Sequence, residues 1–227
     1  MIAIRFLIPA LLVFALAGSG PAAETKTTES AALAVLASEA GVHEKARACQ
    51  QLAVVGGSAA VPALAELLDH EPLADYARSG LEAIQDPAAG EALRKALPRL
   101  KGRLLAGAVN SLGVRRDTAA VPALQKLALN PQSGVASEAL ASLGMIGTSE
   151  AAKTLHKVLT DGPADLRIPA AHAALVAAAQ LAKDGNLAAA RILLDRVVRT
   201  LPPGLLPSAA QRQAAALRTS PAPAVPK

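Results

Sequence analysis

Four histidines, one cysteine and a short acidic cluster are the groups in this chain that could carry chemistry. His43, His70, His156 and His172 are too far apart in sequence for any two to take the i, i+4 or short-loop spacing of a metal pair. His43-Glu44 and His70-Glu71 lack the second histidine that a zinc-protease helix needs. Glu66, Asp69 and Glu71 cluster, and paired carboxylates can cleave glycosidic bonds. That reaction needs a sugar cleft, usually with rings to stack on, and only 1% of this chain is aromatic. The cluster therefore reads as a solvated face. No phosphate-binding loop, dinucleotide glycine pattern or nucleophile elbow is present. The residues point to no catalytic group, no metal and no small-molecule cofactor.

The elements that would position these groups must be helices. The chain has 227 residues, 52% of them hydrophobic, yet Phe6 and Phe14 fall in the first fifteen and Tyr76 is the one ring after them. A core of Ala, Leu and Val favours closely spaced helices, because aromatic and β-branched residues are what strands prefer. Cys49 stands alone, so no intramolecular disulfide can form.

The N-terminus reads as an export signal. Arg5 precedes an apolar run from Phe6 to Ala17, and Ala15-Leu16-Ala17 offers small residues where a signal peptidase cuts. Cleavage is expected after Ala17, with Ala23 as second choice. Gly18-Ser19-Gly20-Pro21 stops the run short of the ~20 residues a bilayer span needs. These features lead to an expectation of a periplasmic or secreted chain with no transmembrane span after cleavage.

Internal periodicity organises the rest. Ser58-Ala-Ala-Val-Pro-Ala-Leu64 returns as Thr118-Ala-Ala-Val-Pro-Ala-Leu124 and, more loosely, before Leu93 and Leu155. Leu33, Leu64, Leu93, Leu124 and Leu155 are separated by 31, 29, 31 and 31 residues. Leu52, Leu81, Leu112 and Leu143 each stand 12 residues before a member of that column. A fixed offset between two leucine columns is what two helices joined by a tight turn would produce. Ser58, Thr118 and Ser149 sit where an N-cap is wanted. Pro62 and Pro122 lie beyond the first helical position and should delay those helices or bend their first turn. Each pair exposes an apolar stripe that only a neighbouring pair can cover.

This pattern resembles the HEAT-repeat family, in particular the short repeats of phycobilisome lyase-type proteins, over Ser30 to Gly162. The resemblance implies an all-α fold, a right-handed α-solenoid of antiparallel helix pairs, and a family that mostly supplies binding surfaces. Between Ala171 and Pro203 the period changes. Leu181, Gly185, Ala190, Leu194 and Pro202 resemble tetratricopeptide spacing, with Ala174 where that family carries Trp. The expected organisation is a signal peptide at 1–17, a linker at 18–29, the solenoid at 30–162 and a longer tetratricopeptide-like pair at 163–204. A terminal helix at 205–218 and a disordered Pro-rich tail at 219–227 complete it.

The register also says what faces inward. Cys49 shares a column with Val109 and Leu140, so the thiol should be a small buried hydrophobe. Arg78 breaks that column, and Arg115 breaks the column of Val55, Ile84 and Ile146. Either arginine could bind a partner. The plainer expectation is that its alkyl stem covers apolar surface while the guanidinium reaches water.

Charge is the one functional signal. Glu24 to Leu93 holds eleven acids against four bases, net −7, and Arg94 to Lys126 holds eight bases against Asp117, net +7. Lys95, Lys126 and Lys157 share a column two residues after the second-helix leucine, on the side away from the buried stripe. They are expected to form a cationic ladder on the inner, concave face, with Arg94 and Arg99 beside it, and to bind a protein partner bearing acidic residues. A phycobilisome lyase-like enzyme is the alternative, along with a binder of nucleic acid or another anionic polymer through 94–126. The isoelectric point near 9.7 suits that last reading. Export and the absence of stacking rings count against it.

Overall fold

The computed structural model describes residues 21–219, with side chains from 28 to 218. The expected signal peptide at 1–17 and the tail from 220 onward lie outside the described residues. Among the described residues the fold is all-α, with twelve α-helices and no strand. Helices α2 (Val42–Val55), α4 (Ala74–Ala83), α6 (Gly102–Val114), α8 (Ala136–Ile146) and α10 (Ala164–Lys183) pack in sequence as one layer. The second layer holds α1 (Pro21–Ala37), α3 (Val61–Glu66), α5 (Pro87–Ala96), α7 (Val121–Ala128), α9 (Ser149–Asp161) and α11 (Leu187–Thr200). Helix α12 (Leu205–Thr219) closes the stack against α10 and α11. The result is a solenoid of helix pairs.

The two leucine columns build its core. Leu52, Leu81, Leu112 and Leu143 in the first layer, and Leu64, Leu93, Leu124 and Leu155 in the second, are all 0% exposed. Leu33 is only partly buried, and its neighbour Ala32 takes the inward position in α1. Tyr76 is exposed, so the core is indeed aliphatic. Cys49 is fully buried, and burial pushes its thiol up to about 11, which makes it an inert packing group.

Two local expectations need correction. The N-caps stand one residue earlier than Ser58, Thr118 and Ser149. The column is Gly57, Asp86, Asp117 and Thr148. Asp86 accepts from Ala88 N at 2.8 Å, Asp117 from Ala120 N at 3.1 Å and Thr148 from Ala151 N at 3.2 Å. Ser58 and Thr118 instead open single 3₁₀ turns, after which α3 and α7 begin with Pro62 and Pro122 in their first turns. The prolines thus delay both helices by three residues, as their missing N–H groups require. The second correction concerns 18–29. From Pro21 onward this stretch is helix rather than linker, since proline is tolerated in a first turn and Ala-Ala-Glu propagates it. Glu29 then accepts from Gly57 N at 2.7 Å and ties α1 to the turn that caps α3.

Candidate binding face

Second-layer helices present the lysine column as the register requires. Lys95, Lys126 and Lys157 are all exposed. Lys95 pairs with Glu91 at 2.6 Å, which holds that carboxyl below its ordinary range. Lys126 and Lys157 have no ion pair among the described residues. Between the second-layer helices lie shallow apolar grooves. One of about 470 Å³ separates α5 from α7, lined by Leu97, Pro98, Pro122 and Leu127, with Lys126 on its edge.

The arginines expected beside the ladder are engaged within the chain. Arg94 pairs with Asp117, the cap of the next repeat. Arg99 meets Asp69 at 3.3 Å and donates to Ala65 O, near the end of α3, at 2.7 Å. Arg103 reaches Glu71 and, at 2.5 Å, Asp75. The acidic and basic stretches therefore meet across the seam between neighbouring repeats, and much of their opposite charge is neutralised there.

Arg78 and Arg115 likewise depart from the expectation of guanidiniums reaching water. Arg78 donates to the buried Ser111 hydroxyl at 2.9 Å, and Ser111 donates to Glu82 at 2.6 Å. Glu82 and Asp75 face the same guanidinium at 3.4 and 3.7 Å. Arg115 donates to four carbonyls: Leu81 at 2.7 Å, Glu82 at 3.0 Å, Asp86 at 3.1 Å, and Ile84. Helix α4 ends without a left-handed cap, so its last carbonyls are orphans that a side chain must satisfy. Arg115, from the repeat ahead, does so. Its carbon column is broken because the position has become a C-cap.

One column escaped the sequence reading. Arg94, Gln125 and His156 stand 31 residues apart, each immediately before a lysine of the ladder. Each ties its second-layer helix to the next repeat. Arg94 reaches Asp117, Gln125 donates to Thr154 Oγ1 at 2.8 Å, and His156 Nε2 accepts from Arg196 Nε at 3.1 Å. The signal that could have found it was polarity repeating in register beside a buried leucine. His156 titrates below its ordinary value of 6.5, because burial and then the Arg196 charge disfavour its protonation, against a smaller opposing pull from Asp161. It sits on a groove of about 420 Å³ between α9 and α11, lined by Ser149, Ala152, Lys153, Asn186, Ala189, Ile192 and Leu193.

Among the described residues no group of histidines, cysteines and carboxylates could hold a metal, and no helix is long and apolar enough to cross a membrane. A sequence model of HEAT repeats matches residues 90–176, from within α5 to within α10. No curated protein matches the chain.

Proposed function

From a chain that carries HEAT repeats, we infer an exported, non-enzymatic scaffold that binds an acidic protein segment on the face of its second-layer helices. One observation carries this reading. Lys126 and Lys157 stand exposed in one register, with no ion pair among the described residues, beside grooves lined largely by apolar residues, whereas the neighbouring arginines are consumed by the fold. Uncompensated cations cost little on a surface, and they steer an acidic partner to it. Export rests on the charge, apolar run and small residues of 1–17. The concave assignment of this face rests on the family's habit of lining its inner surface with second helices.

Fluorescence anisotropy with a labelled glutamate-rich peptide tests the binding reading. Affinity should fall steeply with salt in the native protein. Lys95→Glu, Lys126→Glu and Lys157→Glu together should remove that dependence at an almost unchanged melting temperature. Equal binding by the triple variant at low and high salt would reduce the column to a solubility feature.

A further inference from the structure

The α9–α11 groove differs from the other spaces on this face in what its polar groups lack. Ile192 is 61% exposed at its edge, and Ala152, Ala189 and Leu193 extend the apolar lining. At one end Asn186 Nδ2 donates to Ser149 Oγ at 2.8 Å, closing the pair of helix starts upon each other. Beside the groove, bonded to its lining residue His156, stands the half-buried Arg196. Its bonded partner is the ring of His156, a neutral acceptor, and among the described residues no carboxylate lies within ion-pair distance of it. The adjacent acid, Asp195, is taken by Arg199 at 2.7 Å. On the rim, Lys153 pairs with Glu150 at 2.9 Å, but both side chains are largely exposed and the pair yields readily to a competing carboxylate.

A guanidinium partly withdrawn from water without a counter-charge is an unusual thing to leave beside apolar surface. Arg94, Arg99 and Arg103 in the earlier repeats have found carboxylates and Arg115 has found carbonyls, whereas Arg196 has the ring of His156. An occupant that brought an acid would complete Arg196 with a charge-assisted, two-pronged contact, and an apolar residue next to that acid would cover Ile192. We propose that the α9–α11 groove is the anchor site of the acidic partner segment, seating one apolar side chain over Ile192 and Leu193 and the neighbouring carboxylate on Arg196. This rests on the reading of the second-layer face as a protein-binding surface and adds where the segment is gripped. The lysine column supplies attraction along the stack, and the groove supplies register.

A fluorescein-labelled Glu-Leu-Glu-Glu-Leu peptide and an all-glutamate peptide of equal charge serve as probes on the full chain. The leucine-bearing peptide should bind more tightly than the all-glutamate one, and Ile192→Glu or Arg196→Gln should each weaken it by about tenfold or more. Ile192 is exposed and Arg196 makes no ion pair, so both variants should melt close to the native protein. Amide shifts on titration should concentrate at Ala152, Ala189 and Ile192. Equal affinity for the two peptides, untouched by either substitution yet lost on reversing Lys126 and Lys157, would overturn the anchor while sparing the scaffold reading. Loss of peptide binding to none of these changes would remove both. Displacement of the peptide by decanoate at comparable concentration would overturn the assignment to a protein segment in favour of a free fatty carboxylate.

Discussion

The seam between α4 and α6 and the seams from α6 through α8 to α10 solve one packing problem in opposite ways. At the first, charged side chains fill the join: Arg78 threads past Gly107 to Ser111, and Arg115 caps the end of α4. At the later seams backbone meets backbone. A Cβ on Gly113 would lie 2.8 Å from Ser142 Cα, and one on Gly144 would lie 2.7 Å from Ala173 O. The helix ends differ in step. Helix α8 closes on Gly147 at φ 67, whose N–H returns to Leu143 O at 3.0 Å, and receives from its neighbour only the long Arg116 contact to Ile146 O at 3.4 Å. Small residues let a repeat finish its own helix and approach its neighbour closely. At the end of α4, where glycine is missing, the next repeat lends Arg115. That is why a basic stretch in the sequence becomes, in the fold, chiefly a set of ties, and why Lys126 rather than the arginines of that stretch is left without an ion pair among the described residues.

Substitutions can break this contrast at graded cost. The largest effect is expected where both kinds of seam depend on the same core: Leu112→Ala and Leu124→Ala should each destabilise by about 2 to 5 kcal/mol, as buried leucine truncations do, read by chemical denaturation. Similar melting of either variant and the native protein would contradict the repeat register. Next comes a paired test of the seams. Gly144→Ala should cost about 1 to 3 kcal/mol, because Ala173 backbone must retreat, whereas Gly107→Ala faces only the movable Arg78 side chain at 3.0 Å and should stay within about 0.5 kcal/mol of native. Equal losses at the two glycines would show that the seams do not differ.

Arg116 offers a smaller effect of opposite sign. It holds φ 53 at the end of α6, the position at which the next repeat has Gly147. Its side chain makes only long contacts, to Ile146 O at 3.4 Å and Asp184 at 3.8 Å. Arg116→Gly should therefore raise stability, by up to about 1 kcal/mol in thermal unfolding, through relief of the left-handed backbone. The smallest effect concerns pH. Since His156 titrates lower in the folded chain than its ordinary 6.5, the unfolded chain takes up the proton first as pH falls. Stability from this group is present above about pH 6.5 and declines as pH drops through 6.5 toward the folded value. His156→Gln should flatten that part of the pH profile relative to the native protein.

The leucine columns, the exposed lysines and the burial of Cys49 were legible because they depend only on which face of a helix a residue occupies, and a period reports that directly. The fate of Arg94, Arg99, Arg103 and Arg115 was not. Their partners lie 23 to 34 residues away, and which acid or carbonyl a long side chain meets depends on how one repeat is offset against the next. The cap column failed for a local reason. Asp117 and Thr148 stand directly before Thr118 and Ser149, so adjacent residues with capping side chains compete, and the delay imposed by Pro122 leaves Thr118 inside a 3₁₀ turn. Arg196 was hidden because its unmet charge is visible only once α11 lies against α9.

The division of labour between arginine and lysine is tested most directly by the affinity of folded protein for the glutamate-rich peptide, compared between Arg115→Met and the three-lysine reversal. Arg115→Met should lower the melting temperature, because the carbonyls of Leu81, Glu82 and Ile84 at the end of α4 lose this donor. Well below that temperature it should bind with native affinity and native salt dependence. The lysine reversal should keep the native melting temperature and lose the binding. Loss of affinity in folded Arg115→Met, with the lysine variant binding normally, would contradict the account.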